Sequence, residues 1–376
     1  MSGFQVQGWC PGALRPMLSG DGLVVRLRAR RLSRAQASGL AGAALRYGNG
    51  LIDLTARGNL QLRGVSEASH APLIADLRAL ALVDADVATE SRRNILVTPF
   101  ADAETDDLAG ALARFMADGP DLPDKFGLVV DTGPAPVLAT TPGDIRLERA
   151  ADGGLILRAD GAELGARVTA GTAAGSALAL ARWFLAAGGV SEGRGRMAAL
   201  IRRGIRPGGA LAGTAAPAPA APPPGPGIVE QGALVALEFG QMRAETLAAL
   251  SALGPLRMTP WRMLLVEGLN HLPDLPGLIL SADDPCLRVL ACTGAPGCLQ
   301  AHRPVRALAR KLAPQVPPGR RLHVSGCAKG CAHPGPADLT LIATPQGFDL
   351  VRAGTARDAP FGRLAADEPI DLKGLF

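Results

Sequence analysis

Residues 23–29 read Leu-Val-Val-Arg-Leu-Arg-Ala, with apolar and arginine positions in near alternation. A period of two is the signature of a half-buried strand. The period then lengthens. Ser33 can cap a helix running to about residue 47, and Gly48 stands where that helix would end. Strands are expected over 52–55 and 59–65, and a second helix over 67–80. Past residue 230 the order returns: a strand over 233–239, a helix over 244–253, and strands over 256–258 and 262–266. Two β-α-β-β units predict an internal duplication about a pseudo-twofold axis.

The stretches after these units differ. In residues 90–205, strands are expected over 126–131, 145–148 and 155–158, and a buried helix over 177–187. That stretch has no cysteine, whereas residues 280–360 carry a group of four. If the halves are duplicates, only one kept a metal, and the metal lies beside a cleft made by both. Between them runs GGALAGTAAPAPAAPPPGPG, residues 208–227. It cannot build a core, and its prolines favour an extended, semi-rigid linker.

Composition narrows the partners. The 376 residues include 48% hydrophobic and only 3% aromatic positions, with a formal charge of +5. No basic run with interleaved aromatics occurs, which argues against nucleic acid. Most basic residues are arginine, suited to fixed recognition of carboxylates. An anionic small molecule is the expected partner. The N-terminal residues lack the apolar centre of a signal peptide, and no apolar stretch is long enough to span a membrane. Grouped thiols fit a reducing cytoplasm better than disulfides. No glycine-rich dinucleotide fingerprint follows a strand and opens a helix, so electrons are expected from an external donor protein.

The group of four is Cys292 and Cys298 in ACTGAPGC, and Cys327 and Cys331 in SGCAKGC. Soft sulfur ligands select zinc, copper(I) or an iron–sulfur cluster. Structural zinc sites usually use C-x2-C or C-x4-C knuckles, whereas spacings of five and three in Gly- and Pro-rich loops suit a larger cubane. A 4Fe–4S cluster fits best, with zinc or buried free thiols as the alternatives. Cys10 and Cys286 are left over as ordinary thiols.

Several polar stretches could carry chemistry. In LTARGNLQLRG, period-two spacing puts Arg57, Asn59, Gln61 and Arg63 on one face and Leu60 and Leu62 on the other. That face is either solvated or a platform of donors for an anion. Arg92, Arg93 and Asn94 open an apolar strand, and Lys125 follows a proline turn in LPDKFG. LRMTPWR reads as a packed Trp261 with two surface arginines, Arg257 and Arg262. Among the histidines, His333 stands nearest the cysteines and is the best candidate for contact with iron or substrate. His302 opens an expected helix over 302–312.

Taken together, these motifs resemble the sirohaem-dependent nitrite and sulfite reductase superfamily, over nearly the whole chain outside the linker. The resemblance implies an α+β fold of two ferredoxin-like half-domains, 12–82 and 228–279. Two reductase-type α/β domains would go with them: 83–207 without cluster ligands and 280–376 with the 4Fe–4S cluster. It places Arg57 as a tetrapyrrole-binding arginine, Arg93 and Asn94 in the pocket with Asn59 and Gln61, and Lys125 as the first catalytic lysine. The second lysine of that segment is here Gly127. ACTGAPGC, GCAKGCAHP, LRMTPWR and KFGLVVD look like the branch that acts on the tetrapyrrole precorrin-3A in aerobic cobalamin biosynthesis. That branch implies an iron–sulfur monooxygenase using O2 and a mononuclear non-haem iron, hydroxylating C20 as a ring A acetate closes a lactone. The other branch implies sirohaem and reduction of nitrite or sulfite.

Overall fold

The computed structural model describes residues 11–92, 94–366 and 369–376. Arg93 and Cys10 lie outside the described residues.

The first helix is set by its cap. Ser33 accepts from the Gln36 amide at 3.2 Å, and the Gln36 side chain accepts from the Ser33 amide at 3.0 Å. The reciprocal pair satisfies two donors that a helix start leaves open. The helix runs Arg34–Tyr47 and buries Ala37, Leu40, Ala41, Ala43 and Ala44. Its counterpart, Ala244–Leu253, packs against it in one core shared by both half-domains. The small alanines let the two helices approach closely.

Two sheets flank this core. One is ordered Met17–Ser19, Gly22–Leu27, Leu60–Val65, Leu51–Leu54, Gln241–Arg243. The other is ordered Gly227–Val229, Gly232–Leu237, Met263–Glu267, Leu256–Met258, Arg31–Leu32. Each half lends the strand before its first helix to the other's sheet: Gln241–Arg243 pairs with Leu51–Leu54, and Arg31–Leu32 with Leu256–Met258. Leu60 and Leu62 are fully buried on the helix side, contributing about 1.5–3 kcal/mol each.

The equivalence extends to one turn. Thr55 Oγ1 accepts from the amides of Arg57 and Asn59, at 3.3 and 3.1 Å. Thr259 Oγ1 accepts from those of Trp261 and Met263, at 3.1 and 3.2 Å. Both turns need a left-handed residue. Gly58 supplies it with φ 64°, and Arg262 with φ 61°. Glycine takes this conformation freely, while another residue carries a cost of about 1–3 kcal/mol.

The remaining two sheets also share a plan. Ile95–Val97, Leu128–Asp131 and Ile145–Arg149 run parallel, then Leu155–Ala159 and Ala166–Arg167 turn antiparallel. Val289–Ala291, Leu322–Ser325, Ala337–Thr344, Gly347–Gly354 and Gly362–Ala365 repeat this order and these directions. The cysteine loops leave the C-terminal ends of the first two parallel strands, where α/β sheets place their sites.

Some expectations are corrected. The strand expected over 23–29 stops at Leu27, and that expected over 59–65 begins at Leu60. Arg57 and Asn59 therefore stand in the Thr55 turn. The helix expected over 177–187 starts earlier, spanning Ala170–Ala186, because the Thr169 amide is met by Thr172 Oγ1 at 2.9 Å. The helix expected from His302 is the shorter Arg306–Leu312. Residues 208–227 lie against the cysteine-free domain, where Ala215 pairs with Gly165 and Pro217 with Ala150.

Candidate active site

The site grows out of the open face of the first sheet. Paired residues share a face, and the register aligns Arg26 with Gln61, Gln61 with Asp53 and Asp53 with Gln241. The row is bonded along its length. Turned to accept, the Gln61 amide oxygen lies 3.1 and 3.0 Å from Arg26 Nε and Nη2, and Gln241 Nε2 donates to Asp53 at 2.8 Å. In the second sheet the equivalent row holds Leu234, Leu265, Arg257 and Arg31. The first sheet's row is polar throughout, where the second's is half leucine.

This polar face runs into the cysteine loops. Arg63, two residues past Gln61, is 5% exposed. It donates to Asp21 at 2.7 Å and to the Gly297 carbonyl beside Cys298. Arg306 donates to Asp53 and to the Cys292 carbonyl, both at 3.3 Å. Arg63 is thus a structural tie between sheet and loop, not a free member of the platform.

The other end opens on a cleft. Its lining includes Arg28, Arg30, Arg57, Asn59, Leu96 and Met258. Arg57 Nη1 donates to the Lys125 carbonyl at 3.3 Å, bringing these two expected residues together. Lys125 itself is exposed. Asn94 Nδ2 donates to the Phe126 carbonyl at 2.8 Å, so Asn94 fixes the backbone that carries Lys125. A Cβ on Gly127 would stand 2.8 Å from Asn94 Nδ2, and the Gly127 amide donates to buried Asp144 at 3.0 Å. A lysine there would displace the contact that holds the segment. Arg26, Arg28 and Arg30 were missed as site residues. The alternation that marked residues 23–29 as a strand also put these three on one face.

The four thiols converge from two loops. The His302 amide donates to the Gly326 carbonyl at 2.9 Å, tying the loops together. A Cβ on Gly326 would stand 2.8 Å from that of Ala301, so the approach needs glycine. Cys292 Sγ lies 3.4 Å from Ser325 Oγ, and Ser325 donates to the Cys327 carbonyl at 2.7 Å. Cys331 keeps an exposed edge, yet the protein packed around its thiol pushes it up to about 11, with Cys292, Cys327 and Cys298 adding to the shift against Lys329. Burial likewise raises Cys327, with Cys298 and Cys292 adding to it. Each thiolate therefore disfavours the others unless a cationic centre joins them. Among the described residues, no three Cys, His, Asp or Glu side chains close on a point where one metal ion could sit.

His323 is fully buried, and burial, His333 and Arg262 push its pKa down to about 4. It is neutral, with Nε2 3.9 Å from Cys292 Sγ. His333 Nε2 lies 3.0 Å from the Pro336 carbonyl, its ring edge-on to His323 at 5.9 Å. The two arginines expected at the surface are not there. Arg257 is 9% exposed and bonded to Asp106 at 2.7 Å, and Arg262 reaches the Ala332 carbonyl at 2.8 Å. Trp261 packs beside Phe100, ring centres 6.3 Å apart. Cys286 is half-buried, its thiol pushed to about 11 by burial.

Comparison with known proteins agrees with this architecture. The nitrite/sulfite reductase ferredoxin-like half domain matches residues 15–80. The solved structure of Mycobacterium tuberculosis NirA protein aligns with 92% of this chain and 78% of its own, at a TM-score of 0.67 and 18% identity. The fold is that of the NirA protein, with a ferredoxin-like half domain. A precorrin-3B synthase from Sinorhizobium sp is 33% identical over 398 residues, covering 94% of this chain and 84% of that protein. The chain belongs to the precorrin-3B synthase family. No helix is long and apolar enough to cross a membrane among the described residues.

Proposed function

We propose that the chain hydroxylates precorrin-3A at C20 with O2, with closure of a γ-lactone, in aerobic cobalamin biosynthesis. The observation that carries this reading is the polar face running from Arg57, which bonds the Lys125 carbonyl, to the loop of Cys298. A tetrapyrrole is a wide plate fringed by carboxylates, and bidentate arginine contacts both bind and orient such groups. Arg57, Arg93 and Lys125 take substrate carboxylates. Asn59 and Gln61 line the pocket, Asn94 holds the Lys125 segment in place, and Arg26 steadies Gln61.

Cys292, Cys298, Cys327 and Cys331 hold a 4Fe–4S cluster. A zinc ion 2.3 Å from each sulfur needs sulfurs about 4 Å apart. Among the described residues no three Cys, His, Asp or Glu side chains close on one ion, and four thiolates on two loops are the donor set a 4Fe–4S cluster takes. Such a cluster supplies electrons one at a time, and an external donor protein replenishes them. The described residues offer no set for a mononuclear iron, and no step is assigned to one.

The alternative, sirohaem-dependent reduction of nitrite or sulfite, needs positive charge around a small oxyanion. Gly127 stands in the place of a second lysine, and Asn94 occupies the space beside it. Incubation with precorrin-3A, O2 and a reducing system tests the proposal. The product should be about one oxygen atom heavier, while sulfite and nitrite remain unreduced with a strong artificial donor. Robust nitrite or sulfite turnover, with the macrocycle unchanged, would sink it.

A further inference from the structure

The turn at Thr259 holds an arginine where its twin at Thr55 holds glycine. Arg262 keeps a left-handed backbone, φ 61°, at the position equivalent to Gly58. A side chain retained there in spite of the conformation calls for a reason. Its path is also kept clear. A Cβ on Gly240 would stand 2.9 Å from Arg262 Cδ and 3.0 Å from Cγ, so the stem runs across a residue that cannot bear a side chain. At its end Nη2 donates to the carbonyl of Ala332, the residue after Cys331, at 2.8 Å. Among the described residues that is its one hydrogen bond, which leaves four of five N–H donors for the surroundings. The guanidinium lies within electrostatic reach of Cys292, with Arg306 and Asp53 as its other charged neighbours.

We propose that Arg262 is a positioning residue that sets the reduction potential of the centre held by the four cysteines, while anchoring the Cys331 loop. The proposal rests on the cluster reading above. One-electron reduction by an external donor adds one negative charge to whatever the four thiolates hold. A fixed cation nearby favours the more negative form and raises the potential. Arginine serves because it stays charged when partly buried and can bond the loop at the same time.

The test is a redox titration of the holoenzyme followed by electron paramagnetic resonance, in wild type and in Arg262→Gln, Arg262→Gly and Arg262→Lys. Iron and acid-labile sulfide in the wild type are measured first. Gln and Gly should lower the potential, with at least a tenfold loss of the reduced form at fixed potential, or 59 mV for one electron. Lys should restore most of that shift. Gly also relieves the left-handed backbone, so it should melt no lower than Gln while matching its potential. If Gln and Gly fail to load the cluster but Lys loads it, the charge is needed to hold the centre, which supports the proposal. Unchanged potential in loaded Gln and Gly variants overturns it, as does failure of all three variants to load. A wild type without iron and sulfide overturns the cluster reading and this proposal together.

Discussion

The two α/β domains share strand order and direction, yet their loops do opposite work. Strand register makes Thr98 the equivalent of Cys292, Asp131 of Ser325 and Gly133 of Cys327. In the C-terminal domain, the loop after the first parallel strand runs fourteen residues, 292–305, and carries two thiols. Its twin runs five, 98–102. There Asp131 accepts from the amides of Val137 and Leu138, both at 2.7 Å. A buried carboxylate braces the loop after the second strand by hydrogen bonds, where the equivalent loop carries Cys327 and Cys331. One framework thus carries either a loop braced by its own carboxylate or two loops bearing four cysteines.

This contrast can be broken from either side. The largest effect is expected at Cys327→Ser, which should remove the cluster's visible absorbance and all activity. Iron content and turnover are measured together, because a serine oxygen can sometimes replace a thiolate. Full retention of both would remove the C-terminal loops from the chemistry.

Next come Arg57→Ala and Arg93→Ala, which should weaken tetrapyrrole binding and spare the cluster. Each lost charge-assisted contact should cost about 1.5–3 kcal/mol, or roughly 10- to 150-fold in affinity. Equilibrium titration with the substrate measures it. Unchanged affinity in both variants would return these residues to a solvated surface.

In the other domain, Asp131→Ala should destabilise by about 1–3 kcal/mol for each amide left without an acceptor. Cluster content should not change. Asp131→Asn is milder and exposes a pH effect. Burial raises the Asp131 pKa above the ordinary carboxylate value. The folded state then holds this proton more tightly than the unfolded state. The stability so gained is greatest at acid pH and is lost as pH rises through the folded value. Thermal melts should show wild type losing ground to Asp131→Asn as pH rises toward neutrality. A constant gap between the two would contradict the shift.

Much of this was legible in the sequence. Helix Ala244–Leu253 falls on the expected residues, because a run of strong helix formers that stops at Gly254 is a local signal. Motif likeness and spacing singled out Arg57, Lys125 and the four cysteines, but not the bond from Arg57 to the Lys125 carbonyl. The reciprocal loan of Arg31–Leu32 and Gln241–Arg243 was not, since strands of two and three residues have no period to detect. Nor could the fate of Arg63, Arg257 and Arg262 be read locally. Their partners Gly297, Asp106 and Ala332 lie far away along the chain.

The central contrast is tested most directly by counting iron and acid-labile sulfide per chain in the wild type and in Cys292→Thr. That substitution gives the cluster loop the residue of its twin. The account predicts about four of each in the wild type and none in the variant. Zinc without sulfide in the wild type, or iron and sulfide undiminished in Cys292→Thr, would contradict it.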